Sequence, residues 1–225
     1  MAGLYRGFQS QAELDAEYDV EAVVGDFPAY LEHFESASRR ALAELNPTLR
    51  IPYGPTVAEH LDIYPAQQAN APVLVFFHGG YWHRLSSQDF AFAALGPVAH
   101  GITVVNVNYA LCPEVAIDEI VREARAAVAW TAHSIAGHGG DPRRLHVGGH
   151  SAGAHLATMC LLTPWERDYA LPPGLLKGGA LVSGLYDLRP LPFTFIQPAL
   201  QLTWRQILRL SPALVPERIE APVLI

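Results

Sequence analysis

The chain is short of charge, of cysteine and of internal repeats, and each shortage removes a class of protein. Charged residues make up 16% of 225 while half are apolar, the reverse of the composition that keeps a chain disordered. Fifteen Lys and Arg against 22 Asp and Glu give a formal net charge of −7, and the basic residues are scattered apart from the pairs Arg39-Arg40 and Arg143-Arg144. A phosphate-neutralising surface needs the opposite balance, so nucleic acid is not an expected partner. Cys112 and Cys160 fit no C-x-x-C or metal-ligand spacing and read as reduced thiols. The first residues lack the basic start and continuous apolar run of a secretory signal, so a cytoplasmic location is expected. Phe90 to Pro113 holds no Lys, Arg, Asp or Glu and could be mistaken for a membrane span. Gly96-Pro97, His100-Gly101, Asn106 and Asn108 interrupt it, and a helix, loop and strand of a buried core explain it better.

What is present alternates. From about residue 57 onward helical and extended patterns take turns, which points to an α/β fold with a mostly parallel sheet and helices on both faces. The stretches 57–64, 73–77, 102–108, 145–149 and 178–184 read as strands, and Ile117, Ile120, Val121, Ala124, Val128, Thr131 and Ile135 trace a crossover helix ending near Gly137. Leu200, Trp204, Ile207 and Leu208 mark a further helix before "PVLI", which reads as one more buried strand. Residues 1–50 form a helical segment packing on or capping the site, with Asp26 as cap, Pro28 in the first turn and a stripe of Tyr30, Phe34, Ala37, Ala41 and Leu45. Residues 51–225 make up the core.

Gly149-His150-Ser151-Ala152-Gly153 matches G-x-S-x-G and lies between a strand and an apolar helix, the context in which that motif presents a serine nucleophile on a tight turn. An isolated match is better read as a helix-capping serine; strand, helix and a second motif favour the nucleophile. His155 falls one helical turn after Ser151 and reads as a packed residue, not the base. His146, His150 and His155 sit on a strand, a turn and a helix without an adjacent acidic ligand, which speaks against a metal site.

The second motif is "HGGYWHRLSSQ", residues 78–88, which leaves the apolar strand 73–77. Attack by serine on a carbonyl creates an oxyanion, and bare backbone NH groups after such a strand can receive it. "HGGYW" with "GHSAGAHLA" resembles the α/β-hydrolase fold, in the branch of hormone-sensitive-lipase-like esterases and especially kynurenine formamidases. "NYALCPE" and "VSGLYDLRPL" resemble segments of the same branch. The resemblance implies that Ser151 is the nucleophile, that Gly80, Tyr81 and Ala152 supply the oxyanion NH groups, and that His78 braces the loop with Gly79, Gly149, His150, Gly153 and Asp187 as structural neighbours of the site. Tyr81, standing where a third glycine is usual, is expected to narrow the space over the serine. Trp82 is expected either to stack on an aromatic leaving group or to be ordinary core packing. Phe193 and Phe195 read as loop anchors more than pocket walls.

The order in this fold is serine, acid, histidine, and no histidine follows His155. The resemblance places the acid and histidine beyond Ile225, so the fold is expected to be truncated before its last strand or strands and this chain alone to be nearly inactive. Asp187 is the best internal candidate acid, and His150 and His83 are the nearest candidate bases, none in the expected order. The expected reaction is hydrolysis of a small acyl group, a formyl amide of an arylamine such as N-formylkynurenine or a short ester, through an acyl-enzyme and without metal or organic cofactor. A general short-chain carboxylesterase and a non-catalytic binding protein of the same fold are the alternatives. The expected partner is a small-molecule substrate, with room for a homo-oligomer and none for a membrane.

Overall fold

The computed structural model describes residues 4–216 and 218–225. Nine helices are found among them: α1 (Gln11–Tyr18), α2 (Val20–Val23), α3 (Phe27–Glu44), α4 (Leu95–Ala99), α5 (Ile117–Ser134), α6 (Ala152–Leu161), α7 (Trp165–Tyr169), α8 (Gln197–Leu200) and α9 (Trp204–Leu210). The strands are β1 (Thr48–Pro52), β2 (His60–Tyr64), β3 (Ala71–Phe77), β4 (Thr103–Val107), β5 (Gly140–His150), β6 (Leu176–Val182) and β7 (Val223–Leu224). They form one sheet in the order β1-β2-β4-β3-β5-β6-β7. The pairs β1·β2 and β2·β4 are antiparallel, and β4, β3, β5, β6 and β7 run parallel.

Sequence explains the centre. Every residue of β4 is buried, as continuous β-branched runs require when helices cover both faces. The α5 stripe Ile117, Ile120, Val121, Ala124 and Val128 is buried as its spacing predicts. In α6 every residue from Ala152 to Cys160 is buried, because an all-round apolar helix must be enclosed. The uncharged stretch from Phe90 resolves into a 3₁₀ segment, α4 and β4, and no helix among the described residues is long and apolar enough to cross a membrane.

Three expectations need correction. On α3 the Asp26 cap forms, its Oδ1 accepting from Ala29 N at 3.2 Å, but Tyr30 is exposed while Ser38 and Ala41 face the body. Ser38 is held there because its Oγ donates to Asp89 O and accepts from Phe92 N. The single helix marked by Leu200 to Leu208 is two short ones, broken where Gln201 takes a left-handed φ of 50°; Trp204 and Leu208 are exposed. Finally, "PVLI" does pair with β6, Val223 opposite Gly179 and Leu224 opposite Ala180, but Val223, Leu224 and Ile225 are exposed, not buried.

Candidate active site

The parallel strands end on one side of the sheet, the side on which open α/β folds bind ligands. There β5 turns into α6 through Ser151, which takes φ 55° and ψ −118°, a conformation an L-residue holds only when its surroundings enforce it. The enforcement is steric and local. A Cβ on Gly149 would meet the Gly153 carbonyl carbon at 2.4 Å, and a Cβ on Gly153 would meet Phe77 O at 2.0 Å. The turn therefore closes only with glycine at both ends. Ser151 N donates to Val182 O at 2.8 Å, locking the turn to β6.

The loop leaving β3 passes directly over this turn. A Cβ on Gly79 would lie 2.9 Å from His150 Nδ1 and 3.5 Å from Ser151 Cβ. Gly80 (φ 112°), Tyr81 (φ 47°) and Trp82 (φ 58°) then follow with positive φ in succession. Gly80 O accepts from both His83 N and Arg84 N, and Trp82 O accepts from Cys112 N at 2.8 Å. Among the described residues the NH groups of Gly80, Tyr81 and Ala152 donate to no protein acceptor. His78, fully buried, stacks on Tyr109 at 4.0 Å with its Nδ1 against Gly79 O, while the Tyr109 hydroxyl donates to His78 O. Burial pushes the His78 imidazole down to about 4.

A cavity of about 510 Å³ opens above Ser151, in the range of small-ligand sites. Its walls are Phe27, Leu31 and Phe34 from α3, Val20 and Glu21 from α2, and Tyr81, Arg84 and Phe90 from the loop side. His150 stacks on Phe90 and lines the cavity beside Ser151; burial lowers its pKa, which favours the neutral ring. The polar wall is largely self-satisfied: Glu21 pairs with Arg84, Glu35 with Arg39, and Asp89 accepts from Ser86 N and Oγ.

Trp82 is not a wall of this cavity. It is fully buried and meets His155 edge-on at 5.0 Å, because the run of positive φ turns its side chain into the core; of the two readings of this residue, core packing is the one observed. Tyr81 does reach the cavity, and its ring extends under the N-terminal segment, where its hydroxyl donates to Tyr18 O at 2.9 Å. His155 bonds Leu210 O through Nε2 and is held down to about 4 by burial, which leaves its ring in the core. Asp187 is gripped by the Arg189 guanidinium and lies 3.5 Å from Arg6; the Arg189 hydrogen bonds hold its carboxyl below the usual range. Phe193 and Phe195 line no part of the cavity over Ser151. His83, whose pKa burial lowers, is likewise outside it. Missed from sequence are Phe27 and Leu31 of the α3 wall, which with Phe34 recur at i, i+4 and i+7 and continue to Ser38 and Ala41, a stripe that helical spacing could have revealed.

A family model described as alpha/beta hydrolase fold matches residues 74–211. The chain belongs to the α/β-hydrolase fold family. It is 36% identical over 187 residues to a kynurenine formamidase of Danio rerio, covering 82% of this chain and 62% of the relative. To a kynurenine formamidase of Salmo salar it is 35% identical over 192 residues, 84% of this chain and 63% of the relative. The chain thus spans somewhat under two thirds of the length of these curated relatives. A solved structure from Silicibacter sp. TM1040, provisionally described as a thioesterase, superposes with a TM-score of 0.83 at 27% identity, covering 94% of this chain and 78% of that one.

Proposed function

We propose that the chain carries the nucleophile and oxyanion half of a serine hydrolase that cleaves a small acyl group from an aromatic amine or alcohol. The observation that carries this reading is Ser151 at φ 55° on the cavity, with Tyr81 lining the same cavity and the NH groups of Tyr81 and Ala152 bonded to no protein acceptor among the described residues. In this reading Ser151 Oγ attacks the acyl carbon. The carbonyl π electrons move to oxygen, and the NH groups of Gly80, Tyr81 and Ala152 hold the resulting oxyanion. Collapse of the tetrahedral intermediate breaks the bond to the leaving amine or alcohol, which takes up a proton, and water releases the acid. The order in this fold is serine, acid, histidine; no histidine follows His155 in this sequence, and we assign the proton transfer to no residue of this chain. The aromatic walls Phe27, Phe34 and Phe90 suit an arylamine or aryl alcohol as leaving group, and similarity to kynurenine formamidases supports the formyl amide as the scissile bond.

The test is covalent. In full-length protein a fluorophosphonate should label Ser151 and leave Ser151→Ala unlabelled; label retained in Ser151→Ala would refute the assignment. A profile of N-formyl arylamides against acetyl and butyryl esters then separates a formamidase from a short-chain carboxylesterase, the former preferring formyl and the latter turning over butyryl esters well.

A further inference from the structure

Residue 81 is held differently from its neighbours. Gly80 is fixed through its carbonyl by His83 N and Arg84 N, and Trp82 through its carbonyl by Cys112 N. Among the described residues neither the NH nor the carbonyl of Tyr81 makes a backbone hydrogen bond. Its one hydrogen bond is from the phenol to Tyr18 O. Yet Tyr81 sits at φ 47°, a region that disfavours a residue with a Cβ and that glycine would enter freely. Strained backbone persists only where the surroundings over-determine it, and here that restraint is the side chain.

The acceptor is itself anchored. Tyr18 is the last residue of α1, where helical carbonyls lack a helical partner. The helix is capped by Ser10, whose side chain accepts from Glu13 N. It is pinned to the body by buried Leu14 and by Asp15 Oδ1, which accepts from Phe195 N at 2.6 Å. One turn of loop further on, Arg84 pairs with Glu21 of α2, so the same segment grips the loop twice.

We propose that the Tyr81 hydroxyl, through its bond to the Tyr18 carbonyl, is a positioning group that aims the Tyr81 NH at the oxyanion, so that α1 and α2 are a working part of the acyl-transfer site as well as its wall. This rests on the reading of Ser151 and the loop given above. The strap holds the conformation that a glycine would adopt unaided, and the tyrosine gains a cavity wall in exchange.

The experiment is Tyr81→Phe in full-length protein that also carries the acid and histidine, a change that keeps the ring and removes the tether. Expected are a kcat about tenfold lower on an aryl ester or amide with KM within about twofold, since only the transition state carries the oxyanion. The inhibition constant of a trifluoromethyl ketone, which forms a tetrahedral adduct with serine, should rise by the same factor, while a product-like carboxylic acid binds as before. Hydrogen–deuterium exchange of residues 78–85 should quicken with the melting temperature nearly unchanged, a readout that needs no turnover. A kcat within twofold of the parent overturns the proposal, as does a loss of kcat with the ketone constant unmoved. If the parent itself fails to label at Ser151, the hydrolase reading falls; unchanged exchange in Tyr81→Phe would then separately remove the tether's role.

Discussion

Gly153→Ala should damage this protein far beyond what one methyl group suggests. The added Cβ would stand 2.0 Å from Phe77 O and 2.5 Å from His78 O, both backbone atoms, against an ordinary contact of 3.4 Å or more. Neither atom can swing aside: Phe77 closes β3 in the middle of the sheet, and His78 is wedged against Tyr109. The start of α6 must therefore retreat from β3 by about 1.4 Å, opening the packing of an entirely buried helix. Overpacking of this kind costs about 3 kcal/mol at the upper end of the usual range. Ser151 moves with the helix, and displacement on the ångström scale costs about 100-fold in a reaction that depends on alignment. Urea unfolding should show a lower midpoint at unchanged slope, and fluorophosphonate labelling should slow roughly a hundredfold. Gly137→Ala is the matched control, since its Cβ would meet nothing within 4 Å and should shift stability by less than about 0.5 kcal/mol. A Gly153→Ala protein as stable and as reactive as the Gly137→Ala protein would refute the steric account of the turn.

The remaining predictions concern protons, walls and caps. His78 and His155 are buried and pushed down to about 4, below the unfolded value, so the unfolded chain takes up their protons first as pH falls from 6.5 toward 4. Their contribution is full above pH 6.5 and is lost through that window at about 1.4 kcal/mol per pH unit each; His155→Gln should flatten the stability profile by one such slope, and an unchanged profile would contradict its buried neutral state. Glu123 behaves oppositely: burial raises its carboxyl to about 7, so its contribution is present below pH 4.5 and lost as pH rises to 7, a difference that Glu123→Gln should erase in paired urea titrations. Phe34→Ala should raise KM for a phenyl ester about fivefold relative to a methyl ester, whereas Trp82→Phe should lower the melting temperature and leave that ratio alone; the reverse pattern would return Trp82 to the cavity wall. Ser38→Ala should cost about 2 kcal/mol by stranding Phe92 N, with exposed Ser36→Ala silent in the same unfolding assay.

The parts of the site legible in the sequence are those where a steric constraint acts at fixed spacing. Gly149 and Gly153 touch across the turn they enclose, so the five-residue motif is a contact written in one dimension, and no tertiary information is needed to read it. The sheet is legible for a similar reason: strands buried on both faces admit little but β-branched and aromatic residues. Trp82 is less legible, because the direction of its side chain is set by three successive positive φ values, and two of those residues are types that rarely adopt them.

The N-terminal wall is hidden for a different physical reason. The sequence of α1, QAELDAEY, buries only Leu14, too little apolar surface to announce a docking face. What holds it are the backbone and carboxylate contacts of Tyr18 O and Asp15, and any residue at position 18 would present the same carbonyl. The α3 helix uses one stripe for two purposes: residues 27, 31, 34, 38 and 41 lie within about 80° of one another around the axis, the first three lining the cavity and Ser38 and Ala41 meeting the body. The stripe drawn through Tyr30, Phe34, Ala37 and Ala41 is rotated from this one, and so takes in exposed Tyr30 and passes over Phe27 and Leu31. A helix that must both dock and form a wall carries its apolar stripe further along its axis than docking alone requires, and that surplus length is the mark a cavity leaves on a sequence. On α3 the surplus is Phe27 and Leu31, so replacing Leu31 with Ala should change KM for aryl substrates while leaving the unfolding midpoint close to that of the parent, and an equal loss of stability and affinity would show that the cavity end of the stripe also holds the helix to the body.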